Sequence, residues 1–140
     1  YNIPNDVTNI ECSAFSDCVN LESVSIPGSV SEIGNFAFQY CINLISVNIS
    51  DGIECIGKNA FRDCTKLSSI VIPNSVAEIE SGAFLDCQNL SHITFGTGLK
   101  TIDSQAFSGC TSLTSIRILY SSAKVNNAFR DCPIKSLCVG

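Results

Sequence analysis

Apolar and polar positions along this chain follow a pattern that returns about every 23 residues. One apolar column reads Tyr1, Val24, Val47, Ile70, Ile93 and Ile116. Two residues later a second reads Ile3, Ile26, Ile49, Ile72, Phe95 and Ile118. Apolar residues two apart, with small polar residues between, predict a short strand with one buried face. Pro4, Pro27 and Pro73 follow it and end it, because proline has no amide to extend a ladder. The next columns run Val7, Val30, Ile53, Val76, Leu99 and then Ile10, Ile33, Ile56, Ile79, Ile102, Val125. Their spacing of three fits either a second short extended piece or a tight turn. A position that is Gly34 or Gly57 in two repeats and Glu11, Glu80, Asp103 or Asn126 elsewhere reads as one where left-handed backbone is permitted but not compulsory.

The phrase Ala-Phe-x-x-Cys then occurs six times. Its phenylalanines are Phe15, Phe38, Phe61, Phe84, Phe107 and Phe129, and its cysteines Cys18, Cys41, Cys64, Cys87, Cys110 and Cys132. Leu21, Leu44, Leu67, Leu90 and Leu113 close the unit. Apolar residues at i, i+1, i+4 and i+7 from the alanine predict one helical or 3₁₀ turn. Each repeat is thus a strand, a bend, a helical turn and a return, which predicts an α/β repeat solenoid. Each offers about seven core side chains worth roughly 1.5–3 kcal/mol apiece, against about 1.5 kcal/mol to order each residue. No repeat should be stable alone, and the array buries one continuous core. The alanine column reads as steric, since a larger residue would push neighbouring turns apart.

The repeats fill residues 1–140, so one solenoid segment of about six 23-residue units is expected. Tyr1 already lies inside a repeat and no signal peptide is present, which reads as a mature form or a piece of a longer protein. The net charge of −5 argues against nucleic acid as a partner. No apolar run is long enough to insert in a membrane.

Nine cysteines cannot all pair within the chain. The six column thiols read best as small hydrophobes facing the core, with disulfides or a thiolate metal site as weaker alternatives. Free thiols are unusual in an oxidising compartment, where inaccessibility or an anaerobic setting would preserve them. Cys12 and Cys55 stand at variable positions two turns apart and read as bystanders. Cys138 is placed at a strand core position. Asp17, Asp63, Asp86 and Asp131 precede the column cysteines, a row that suggests calcium. Tyr40 and Gly109 interrupt it, and turn aspartates that bond nearby amides are the better reading. The lone His92 falls in a serine column and lacks the partners of a catalytic triad. Two glycosylation sequons, Asn48-Ile-Ser50 and Asn89-Leu-Ser91, are expected by chance in so polar a set of turns.

The run Leu21-Glu-Ser-Val24-Ser-Ile26-Pro27-Gly-Ser-Val30-Ser-Glu-Ile33-Gly34-Asn-Phe-Ala37-Phe38-Gln-Tyr-Cys41 resembles the BspA-type leucine-rich repeat. The resemblance covers Tyr1 to about Gly140. It implies a right-handed arc with parallel strands on the concave side and turns or 3₁₀ segments on the convex side. It also implies a cell-surface or secreted bacterial protein of adhesion type, with no enzymatic activity and no cofactor. The last repeat departs from the pattern: it is one residue short before Phe129, Leu119 to Ser122 replace Pro-x-x-Val, and Lys135 takes the leucine position with Ile134 or Leu137 to fill the space.

Function is then expected on the outward strand positions, most of them small and uncharged. The distinctive ones are Ser69, Val71, His92, Thr94, Ser115 and Arg117. Arg117 is the one side chain there of the kind that anchors interfaces. The expected partner is a host or neighbouring-cell surface or matrix protein, or a glycan. A spacer that projects other domains is the second reading. The open strand edges at Tyr1–Ile3 and Cys138–Gly140 also invite edge-to-edge self-association.

Overall fold

The computed structural model describes residues 1–119 and 123–139. Two strand ladders run through the stack, both parallel. The continuous one comes from the columns spaced by three. It consists of β1 (Asn9–Ile10), β3 (Glu32–Ile33), β5 (Cys55–Ile56), β7 (Glu78–Ile79), β9 (Thr101–Ile102) and β11 (Lys124–Val125), in that order in one six-stranded sheet. Of the two columns, the one from Ile10 to Val125 is therefore extended, while the one from Val7 to Leu99 lies outside the strands.

The other ladder holds the alternating strands: β2 (Ser23–Ile26), β4 (Ser46–Ile49), β6 (Ser69–Val71), β8 (His92–Thr94), β10 (Ser115–Ile118) and β12 (Ser136–Val139). It joins only in pairs, β2 with β4, β6 with β8 and β10 with β12. Asn2 adds an isolated bridge to Ser25 at the first rung. Between the pairs the strands are neighbours without forming one sheet. The proline carbonyls receive the turn that follows: Val7, Val30 and Val76 donate to Pro4, Pro27 and Pro73 at 3.1–3.2 Å.

The Ala-Phe-x-x-Cys segment departs from expectation. Among the described residues there is no helix, α or 3₁₀, so the structure is a parallel β-solenoid and the α/β assignment does not hold. Two left-handed residues per repeat, four apart, are the reason. They are Ser13 and Asp17, Phe36 and Tyr40, Asn59 and Asp63, Gly82 and Asp86, Gln105 and Gly109, Asn127 and Asp131, all with φ between 53° and 72°. A left-handed residue reverses the chain and cannot continue a helix. The segment becomes tandem β-turns. In the first, Ala14, Ser16 and Cys18 donate to carbonyls three residues back, while Ser13, Phe15 and Asp17 donate to Asn35, Ala37 and Gln39 of the next turn. Half the amides close turns and half tie neighbouring repeats together.

This geometry corrects two sequence expectations. Gly34 and Gly57 are not left-handed; the left-handed position lies two residues later, at Phe36 and Asn59. The aspartate row exists because aspartate tolerates left-handed backbone better than most residues, and Gly109 continues the row with φ 72°.

The spine is regular. From Phe15 to Phe129 successive rings stack at 5.0–5.2 Å with interplanar angles of 1–8°. Phe38, Phe61, Phe84 and Phe107 are wholly buried, as are Cys41, Cys64, Cys87 and Cys110. All nine cysteines are free thiols. The column thiols do more than fill space. Cys41, Cys64, Cys87, Cys110 and Cys132 each donate from Sγ to the carbonyl of the phenylalanine in the preceding turn, at 2.9–3.3 Å. A methyl group could not make that bond, which is a role the sequence pattern left unseen.

Candidate interaction surface

The six residues singled out from the sequence fall on three consecutive strands and all are exposed. Ser69 and Val71 lie on β6, in register with His92 and Thr94 of β8. Ser115 and Arg117 lie on β10, in register with Ser136 and Cys138 of β12. The alternating pattern aims these side chains outward while Ile70, Ile116 and Ile118 face the core.

A shallow groove of about 330 Å³ runs along the seam between β8 and β10, where two of the paired sheets abut. His92, Thr94, Ser115 and Arg117 line it, together with Ser91, Ser136 and Cys138. Ser69 and Val71 sit outside it, one strand away, and Val71 is 60% exposed. The Ser91 hydroxyl lies 2.8 Å from His92 Nδ1 and orients the ring.

Ser136 and Cys138 were missed for a physical reason. The last turn loses two residues relative to a full repeat, so Arg117 pairs with a residue 21 positions on. Cys138 therefore points outward and is exposed, correcting its placement in the core. Ile134 packs partly buried against the core, at the place the missing leucine would fill. Only closure of the strand pair reveals this register. Gly140 and Tyr120 to Ser122, also named from the sequence, lie outside the described residues.

The electrostatics of the two ladders differ. Thirteen residues are acidic, yet none occupies an outward position of β2, β4, β6, β8, β10 or β12. On the other ladder Glu32, Cys55 and Glu78 are successive register partners. Burial, then Glu80, Glu32 and Glu78, push the Cys55 thiol up to about 12. Donor atoms of Cys55, Glu78 and Glu80 lie within 4.8 Å of one another. The Asp17 row offers no such cluster among the described residues. Inside the spine, burial raises Cys41 to about 11 and drives Cys64 and Cys87 higher still.

Six copies of the BspA type leucine rich repeat region match this chain, over residues 1–114 and 32–139. The chain belongs to the BspA-type leucine-rich-repeat family. Its fold is shared with a leucine-rich repeat protein of T. pallidum at 30% identity and a TM-score of 0.90, over 98% of this chain and 67% of that one. A leucine-rich repeat protein of Eubacterium ventriosum is 30% identical with a TM-score of 0.87, over 95% of this chain and 36% of that one. A leucine-rich cell surface protein of Faecalibacterium prausnitzii is 26% identical with a TM-score of 0.66, over 99% and 46%. This BspA-type chain thus spans between about a third and two thirds of those proteins. No curated protein matches it. Repeats of this family generally build interaction or scaffold surfaces. Among the described residues no helix is long and apolar enough to cross a membrane.

Proposed function

We propose that this BspA-type segment is a binding module of a cell-surface or secreted protein, engaging a protein partner in adhesion through the outward face of its alternating strands. The observation that carries the reading is the groove between β8 and β10, where the variable residues His92, Thr94, Ser115 and Arg117 meet on an otherwise small and polar face. The cell-surface name of the Faecalibacterium prausnitzii neighbour supports the location. The reading is binding because repeats of this family generally build interaction or scaffold surfaces. The spacer reading draws on the N-terminal rungs, where Ser23, Ser25, Ser46 and Asn48 present nothing distinctive.

The test is adhesion of the purified 140-residue protein to surfaces coated with extracellular matrix proteins or with cells. Saturable binding that falls when His92 and Arg117 are both replaced by alanine is the expected result. Absence of saturable binding to every surface would leave the spacer reading in its place.

A further inference from the structure

The residues around the groove specify the chemistry of a ligand, given the binding-module reading on which this inference rests. Arg117 is the cation of the groove, and the two ion pairs among the described residues, Arg62 with Asp63 and Arg130 with Asp131, do not involve it. Lys135 stands exposed immediately before Ser136, a lining residue. Thr94, Ser115 and Ser136 line the same groove with hydroxyls, while the Ser91 hydroxyl is engaged by the Ser68 carbonyl and by His92 Nδ1. No carboxylate lines the groove, although the whole protein carries a net charge of −5. A groove with a free guanidinium, hydroxyl donors and no acid complements an anion with planar oxygens.

A second contact lies on the same line across the strands. Val71 is in register with Thr94, and Arg117 takes the equivalent place one strand further, on β10. Two strand spacings put Val71 and Arg117 about 10 Å apart. Three residues of polyproline II helix make one full turn and rise about 9 Å, so side chains three apart face the same way at nearly that distance. Val71 is a large apolar side chain left in water, with no apolar neighbour among the outward positions of β8 and β10.

We infer that Arg117 in the groove and Val71 beside it receive a protein segment in polyproline II conformation that crosses the strands, with a carboxylate side chain on Arg117 and an apolar side chain three residues away on Val71. An acidic sugar would satisfy Arg117 but would leave Val71 without a partner, so the protein segment is the occupant these observations favour.

The probe is a ten-residue peptide with Glu and Val three positions apart in a proline-rich background, titrated calorimetrically against the intact chain. The same peptide with Gln for Glu, and a sialylated oligosaccharide, form the other arms. Saturable binding of the Glu peptide is expected, weakening as salt rises. Arg117→Ala should weaken it about tenfold or more, the Gln peptide should lose a similar factor, and the two losses should not add. Val71→Ser should cost a few-fold, and Asn48→Ala, on β4, nothing. Equal affinity for the Glu and Gln peptides, indifference to Arg117→Ala, no binding of the Glu peptide, or binding of the oligosaccharide in its place would each overturn the inference. Adhesion to a matrix-coated surface that survives Arg117→Ala would overturn it while leaving the binding-module reading standing. Absence of adhesion by the unsubstituted chain would remove that reading itself.

Discussion

The phenylalanine–cysteine spine and the groove face recur with nearly the same period, yet one is closed and the other open. In the spine every unit repeats the last. Rings stack in parallel, each thiol bonds the carbonyl of the preceding turn, and amides alternate between closing a turn and joining a neighbour. On the alternating-strand face the ladder divides into pairs and leaves a seam. Side chains there differ from turn to turn because the core does not constrain them. Uniformity marks where the stack is held together, and variation marks where it can meet something else.

The sharpest way to break this contrast is to empty the spine. Phe61→Ala, at the centre of the stack, should cost about 3–5 kcal/mol, read as a fall in the denaturant midpoint. Phe15→Ala should cost less, because Phe15 is only partly buried at the end of the array. Equal losses at the two sites would show that the ends are as tightly packed as the middle.

Alkaline pH acts on the same spine through the thiols. Cys41 is held up to about 11 by burial, with Cys64 and Cys87 above it, whereas an unfolded cysteine ionises near 8.5. Raised folded values mean the stability is fully present below that point and drains away as pH climbs through the folded values. The melting temperature should therefore fall between about pH 9 and 11, and the slope should be shallower in Cys64→Ala. A flat profile over that range would contradict the burial of these groups. In the native state a thiol reagent should label the exposed Cys12 and Cys138 well before the four buried column residues.

The turns give a smaller effect. Asp86 has φ 59°, so Asp86→Val should cost about 1–2 kcal/mol by forcing a branched side chain into left-handed backbone. Asp86→Gly should be tolerated. If both variants melt alike, the left-handed turn is not what limits this position. Smallest of all is Ser108, a buried residue whose hydroxyl has no hydrogen-bond partner. Ser108→Ala should be neutral or stabilising by up to about 1 kcal/mol, and a clear destabilisation would mean that the hydroxyl is satisfied in solution.

Much of this was legible in the order of residues. The 23-residue period announced a stack, the alternating columns announced short strands with one buried face, and six Ala-Phe-x-x-Cys phrases announced a shared interior. The helical turn was misread because apolar spacing carries no record of the sign of φ. Asp17, Tyr40 and Gly109 look unlike as side chains and are alike only in their backbone. Cys138 was misplaced because a contracted repeat shifts its register, and register is decided by which strand closes on which.

By itself, then, the sequence determined the repeat, the buried columns and the outward set from which a binding surface can be drawn, because burial follows period and side-chain type. Only the tertiary structure decided that the turns are tandem and left-handed at two points, that each thiol bonds the previous turn, and that His92, Thr94, Ser115 and Arg117 share a groove with Ser136 and Cys138. Those features depend on backbone dihedrals and on hydrogen bonds between residues some twenty positions apart. They come into existence when one turn settles on the next, and no single repeat contains them.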